Sequence, residues 1–319
     1  MSPLRPAAGI AVVAAILLSC PTPARALPAG VSYLYRLSSF AGTVPYSDAR
    51  LHADEAHGEI LAIAGNTVRV FNGAGMEIYR FDSDPSSGQM VDVAVVQGSD
   101  LVLLVYPQAP AVGTPTWSLV RVDFRGVPQG RITLTGLPAG TGDMRPDSLF
   151  FRDGRLLLVD RAQWRAVALD LDGAVQKSWD LQALAGLPEK ERGRNDMGGA
   201  NLDAKGALLF TVPTIAKAFV LPLDGKPRVF GRGGSAPGSF GIPAGIAADG
   251  QGRLFVADKA RGVVMLFNPQ LEFVTEFGTD DGPSGLSRPS DLLYFDGKLY
   301  VTQSRDRGVS VFRVAAGGV

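Results

Sequence analysis

The residues of this chain whose types could do chemistry together are few and widely spaced. Asp92, Asp147 with Ser148, Asn201 and Asp291 each stand shortly before an apolar run. If the fold brings them to one point, three carboxylates and an amide make an oxygen-only ligand set. Hard oxygen ligands of that kind suit Ca²⁺ better than a softer metal. Each also has a plain structural use, capping its own strand or bonding a neighbouring backbone. No glutamate joins the set, and no general base is evident beside it. His52 and His57, the only histidines, lie within one short stretch. Two histidines on one hairpin cannot ring a channel metal, so a surface or packing role is expected of both.

Other signatures are missing. The chain carries no phosphate-binding Gly-x-x-x-x-Gly-Lys-Ser/Thr loop, no Gly-x-Ser-x-Gly elbow, no His-Glu-x-x-His and no Cys-x-x-Cys-His. Nucleotide hydrolysis, serine hydrolysis, zinc-peptidase chemistry and c-type haem therefore lack support. Asp170-Leu-Asp-Gly173 and Asp280-Asp-Gly282 look superficially like calcium loops. They lack the third ligand position and the distal glutamate, and read as turns. Trp117, Trp164 and Trp179 could stack on a sugar, but three large aromatics in a β protein are expected in packing.

Composition limits the partners. Lys plus Arg and Asp plus Glu are balanced at 31 each, so no bulk field draws in nucleic acid or anionic lipid. Residues 1–26 stand apart: Arg5 precedes an uncharged apolar run from Ala7 to Ser19, and Ala24-Arg25-Ala26 offers a small-x-small cleavage site. The run is too short to anchor in a bilayer and fits a secretory signal peptide. A rival processing site is Leu17-Leu18-Ser19-Cys20, which resembles a lipobox whose cysteine would be lipidated. Either route exports the protein to a periplasm or cell surface. Cys20 is the sole cysteine, so cleavage after Ala26 leaves no disulfide and no thiolate metal site.

The elements that must position the polar residues come from internal repeats. Pro243 to Gly278 reads as a short strand, a Gly-rich hairpin, a buried strand, a tight turn, a third strand and an outer strand. Four strands in so short a span make one propeller blade. The outline recurs around Leu299, Leu156 and Leu208, and more weakly around Ile60 and Leu101. Second strands then start at 60, 101, 156, 208, 254 and 299, and six units of about 49 residues account for positions 27–319 as a single domain. Each second strand is a continuous apolar run, as expected for a strand packed on both faces between blades. Only Trp179 to Glu191 suggests a helix, and a short one. The sixth unit lacks a fourth strand, an edge that would invite aggregation. The segment from Val31 to Gly42 resembles an outer strand and is expected to pair there and close the ring.

The residues in these units resemble NHL repeats. Phe230-Gly231, Gly238-Ser-Phe240, Pro243, Ile246 to Asp249 and Gly252 to Asp258 follow that family's pattern closely in the fifth unit. The third and sixth follow it well, and the first, second and fourth loosely. The Asn-x-Arg segment usual after the strand's Asp is eroded to Arg261-Gly262-Val263. The resemblance implies an all-β, six-bladed propeller, and a turn-bonding role for Asp160 and Asp258, with Gln303 in the corresponding place. NHL propellers include an amidating lyase, RNA-binding domains, a sensor domain and stand-alone exported bacterial proteins, so fold alone does not choose an activity. The expectation is an exported, monomeric, non-enzymatic propeller without a cofactor, binding a protein or an envelope polymer through a loop face. Its alternative is a calcium- or zinc-dependent hydrolase or lyase built on the axial ring of Asp92, Asp147, Ser148, Asn201 and Asp291.

Overall fold

The computed structural model describes residues 27–315, apart from 40, 44–47, 97, 99, 109–114, 139–140, 142, 189, 191–192, 280–281 and 305–306. The readings on residues 1–26, Cys20 and the Asp280-Asp281 turn lie outside the described residues. Five blades follow the chain in simple order, each an antiparallel sheet of four strands. Their innermost strands are Arg50–Asp54, Gln89–Val95, Ser148–Arg152, Ala200–Leu202 and Pro243–Ala248. The sixth blade begins with Pro289–Phe295 and continues through Lys298–Gln303 and Val309–Val314. Each innermost strand touches those of the two neighbouring blades, and the first touches the sixth, so six strands surround a channel.

The ring closes as the sequence predicts. Val31–Arg36 pairs antiparallel with Val309–Val314, from Val31 opposite Val314 to Arg36 opposite Ser310, with an irregularity between Tyr33 and Tyr35. Val31 thereby enters the core between the fifth and sixth blades, with Phe255, Leu299 and Phe312. The strand covers an edge that would otherwise expose unpaired backbone groups. Because its partner lies at the far end of the chain, closure joins the first described residues to the last.

The apolar second strands do what their composition implies. Leu208–Val212 and Leu254–Asp258 are buried along their whole length, and the core is divided into clusters between adjacent blades. One joins Leu61, Ile63 and Val68 of the first blade to Val93, Leu101 and Val120 of the second. Fully burying such a side chain contributes about 1.5–3 kcal/mol. Trp117 and Trp164 are buried in these clusters, and the Trp164 indole donates to the Asn195 carbonyl at 2.6 Å. The helical segment is a single turn, Leu181–Leu184, capped by Asp180. Among the described residues no helix is long and apolar enough to cross a membrane.

Polar turns set the spacing between blades. The Asp170 carboxylate accepts from the Asp172 and Ala174 amides, so this segment is a turn. Asp123 does the same for Arg125 and Val127. In that second turn Gly126 sits at φ 83°, where a β-carbon would lie 2.2 Å from the Phe81 ring. A bare backbone there lets the second blade's turn rest on the outer strand of the first. At the ends of second strands, Asp160 accepts from the Gln163 and Arg145 amides. Asp258 accepts from Ala260, Arg261, Gly241 and Ile242, and Gln303 accepts from Ser287. Each ties the segment entering its own blade to the end of that blade's second strand.

Candidate functional site

Side chains alternate along a strand, so Arg50 and His52 share the channel side of Arg50–Asp54. Arg50 is the hub of the axial network. Its guanidinium donates to the Ser148 hydroxyl at 3.1 Å and to the Asp147 carbonyl, and lies 3.4 Å from Asp92 Oδ2. Asp92 is fully buried. One of its oxygens is 2.8 Å from His52 Nε2, and the other accepts the Leu149 amide at 2.7 Å. From the opposite side Asp291 Oδ2 accepts the Leu51 amide at 3.1 Å. The first blade is thus gripped by carboxylates of the second and the sixth.

Asp147 and Ser148 extend this network, and Asn201 makes a separate contact between blades. The Asp147 carboxylate takes the Arg161 Nε at 2.9 Å on both oxygens, and the Ser148 hydroxyl donates to it at 3.0 Å. The Asn201 amide donates to the Leu292 carbonyl at 3.1 Å, linking the fourth blade to the sixth. Between them the fifth blade presents Gly245, where a β-carbon would stand 2.7 Å from the Asp291 backbone. All five residues read from the sequence therefore lie around the axis.

Charge is shared unequally there. Burial works against the Arg50 charge, but Asp92, Asp291 and Asp147 outweigh it and hold the guanidinium more firmly protonated than usual. Burial also pushes the Asp92 carboxyl up, yet Arg50, His52 and the Leu149 amide together bring it below the ordinary carboxylate range. Asp291 has no such direct ion pair, so burial prevails and its carboxyl stays above that range.

The arrangement adds to the sequence reading at two points. The ring weighed as a calcium-type ligand set, or as strand caps, surrounds a guanidinium. Among the described residues no group of three or more histidines, cysteines, aspartates or glutamates is placed to hold a metal. The physical reason is that Arg50 already supplies the positive charge, while Asp147 and Asn201 are turned toward Arg161 and a backbone carbonyl. The second point is His52, expected at the surface or in packing, which is mostly buried beside Phe150 and also lines the channel. Arg50 and His52 were missed because the first repeat is one of the most decayed. Counting back from its second strand by the seven to nine residues seen in the other units reaches 51–53, which takes in His52 but stops short of Arg50.

Beyond His52 the channel widens into a funnel of about 380 Å³ at the face formed by the turns after the innermost strands. His52 and Asn201 lie on its inner wall, Phe151, Tyr294 and Phe295 supply aromatic surface, and Glu55, Arg152 and Asp203 line it with charge. Arg50 and Asp92 stand behind His52, outside the lining. His57, in the adjoining turn, is largely exposed and bonds Asp54 at 3.0 Å.

No family model matches the sequence, and no curated protein matches it. Solved structures do match in fold. Virginiamycin B lyase from Staphylococcus aureus superposes with a TM-score of 0.53 at 14% identity, covering 90% of this chain and 89% of that one. A Bacteroides thetaiotaomicron protein of unknown function gives 0.61 at 14%, covering 89% and 76%. A luciferin-regenerating enzyme gives 0.55 at 13%, covering 86% and 93%. At such identities the likeness is one of fold.

Proposed function

We propose that this protein is an exported, non-enzymatic binding propeller whose funnel face receives a protein or an envelope polymer. The observation that carries the reading is the state of the axial charges. Arg50, Asp92, Asp147, Asn201 and Asp291 are each engaged with another part of the protein. A hydrogen-bonded network of this kind orients strands and keeps these four charges and the amide engaged within the fold. Above it the funnel offers aromatic wall and mixed charge, a surface suited to contact. Photo-crosslinking side chains placed at Glu55 and Asp203 on this face, and at Ile215 and Ile242 on the opposite one, test the assignment in the cell envelope. Adducts of discrete mass are expected from the first pair alone. Adducts only from the second pair, or from none, would sink it.

A second reading, a hydrolase or lyase acting in the funnel, is favoured by one feature. His52 is held through Nε2 by buried Asp92 while its ring lines the funnel, the orientation an imidazole needs to act as general base. Fold neighbours include lyases, and a virginiamycin B lyase in which one histidine is replaced by alanine is described as catalytically inactive. The metal-dependent form of this reading is less well supported, as among the described residues the ring around Arg50 already contains its cation. Turnover of an ester and lactone panel that disappears in His52→Ala, with the melting temperature kept, would favour this second reading over the first.

A further inference from the structure

A second recess opens on the funnel face, between the first and second blades. Its volume is about 550 Å³, and Leu61, Val70, Leu101, Ile78, Tyr79 and Phe124 form its apolar walls. Eight large hydrophobic side chains are exposed among the described residues, and three of them, Ile78, Tyr79 and Phe124, line this recess. They belong to the outer strand of the first blade and to the second blade's turn that lies over it. Contiguous exposed apolar surface of this kind marks an interaction site.

The recess is preformed. Gly126 rests on Phe81, and Asp123 holds the backbone of the same turn. The Tyr79 hydroxyl donates to the Arg125 carbonyl across the blade boundary at 3.2 Å.

Its inner end is acidic. Asp54 accepts the amides of Ala56 and His57, and binds the His57 ring. Glu59 stands opposite Asp54 in the strand register, and no described side chain forms an ion pair or hydrogen bond with its carboxylate. Burial, and then the Asp54 charge, push that carboxyl above its usual range, with His57 a partial offset. On the second blade's side Asp123 and Arg125, which flank Phe124, are paired with each other. The recess thus holds excess negative charge at one end and apolar wall along the rest. The turn carrying Asp54, His57 and Glu59 also supplies Ala53 and Glu55 to the funnel, so the two recesses are continuous across one loop.

From this we infer that the groove between the first and second blades docks an extended segment of a partner protein, with a Lys or Arg set against Glu59 and aliphatic or aromatic side chains laid over Ile78, Tyr79 and Phe124. The inference rests on the reading of the funnel face as a binding face, and names the chemistry of the partner. An envelope glycan fits less well, since the long wall of the groove offers few hydrogen-bonding groups.

The test uses the full chain and a displayed library of random linear peptides. Enriched peptides should carry a basic residue beside apolar ones. They should lose about tenfold or more in affinity on Phe124→Asp or Ile78→Asp, lose affinity on Glu59→Gln, and bind Ile242→Asp as they bind the parent. Unchanged melting temperatures in these surface variants confirm that folding is intact. Several results would overturn the inference: no enrichment, enriched acidic peptides, or binding that Phe124→Asp and Ile78→Asp leave intact. Loss on substituting Glu55 and Asp203 alone would sink the groove and keep the funnel face. Loss on Ile242→Asp alone would sink both. A chain that self-associates until Phe124→Asp makes it monomeric, or a groove that accepts peptides only after residues 1–26 are removed, would assign the surface to a second copy or to this chain's own leader.

Discussion

The channel and the groove between the first two blades both contain carboxylates, and they use them in opposite ways. At the axis Asp92 is fully buried and meets Arg50, His52 and the Leu149 amide at once. In the groove Glu59 has no cation among the described residues and lies beside exposed Ile78 and Phe124. A buried charge costs stability unless it is paired, so the pairing of Asp92 at the axis signals a positioning role. Glu59 is only partly buried, and beside exposed apolar surface a carboxylate without an ion pair is left for something outside the chain.

The comparison can be broken most severely at its hub. Arg50→Ala leaves Asp92 buried without its ion pair and should cost about 3–5 kcal/mol of stability, read from urea denaturation. A loss below 1 kcal/mol would mean that the guanidinium holds nothing together. Asp92→Asn keeps an acceptor for the Leu149 amide but removes the charge, and about 1.5–3 kcal/mol should be lost.

That second variant also carries a pH signature. The folded Asp92 carboxyl titrates below its unfolded value. Its contribution is therefore fully present above the ordinary carboxylate pKa of about 4 and is lost as pH falls through the lower folded value. Urea melts over a pH series should show the parent and Asp92→Asn converging on the acid side. Asp291 is shifted the other way, by burial, so its ionised form opposes folding as pH rises. Asp291→Asn should cost less than Asp92→Asn at neutral pH, and a reversed order would refute the unequal sharing of charge.

Smaller effects are expected toward the groove. Gly126→Ala places a side chain at φ 83° and 2.2 Å from the Phe81 ring, and should cost about 1–3 kcal/mol. Because it moves the groove wall, it should also weaken any peptide bound there, as judged by the same titrations. Phe124→Ser removes a side chain that is 62% exposed and should change stability by no more than about 0.5 kcal/mol. A larger loss would show that Phe124 belongs to the fold and would blur the contrast with the axis.

Much of the architecture was legible before any coordinates. Runs such as Leu101 to Val105 and Leu208 to Val212 place second strands because a strand covered on both faces must be apolar throughout. Their spacing counts the blades, and the missing fourth strand of the last unit points to Val31–Arg36. Asp92, Asp147, Ser148, Asn201 and Asp291 were legible as neighbours of the axis because the repeat register puts them on innermost strands or, for Asp147, at the residue before one. Their common partner was not. Arg50 lies in a decayed repeat, and nothing in its neighbours along the chain marks it as the cation for carboxylates from other blades. His52 was read as peripheral for the same reason, since its companion Asp92 belongs to the next blade.

What the sequence alone determined is thus the repeating unit, the number of units and their closure. Burial between adjacent blades depends on short apolar patterns that each repeat carries for itself. Which charge meets which was decided only by the tertiary structure, because Arg50 with Ser148 and Leu51 with Asp291 are separated by most of two blades or nearly the whole ring. An ionic contact is set by distance and burial, and those quantities exist only once the ring has closed.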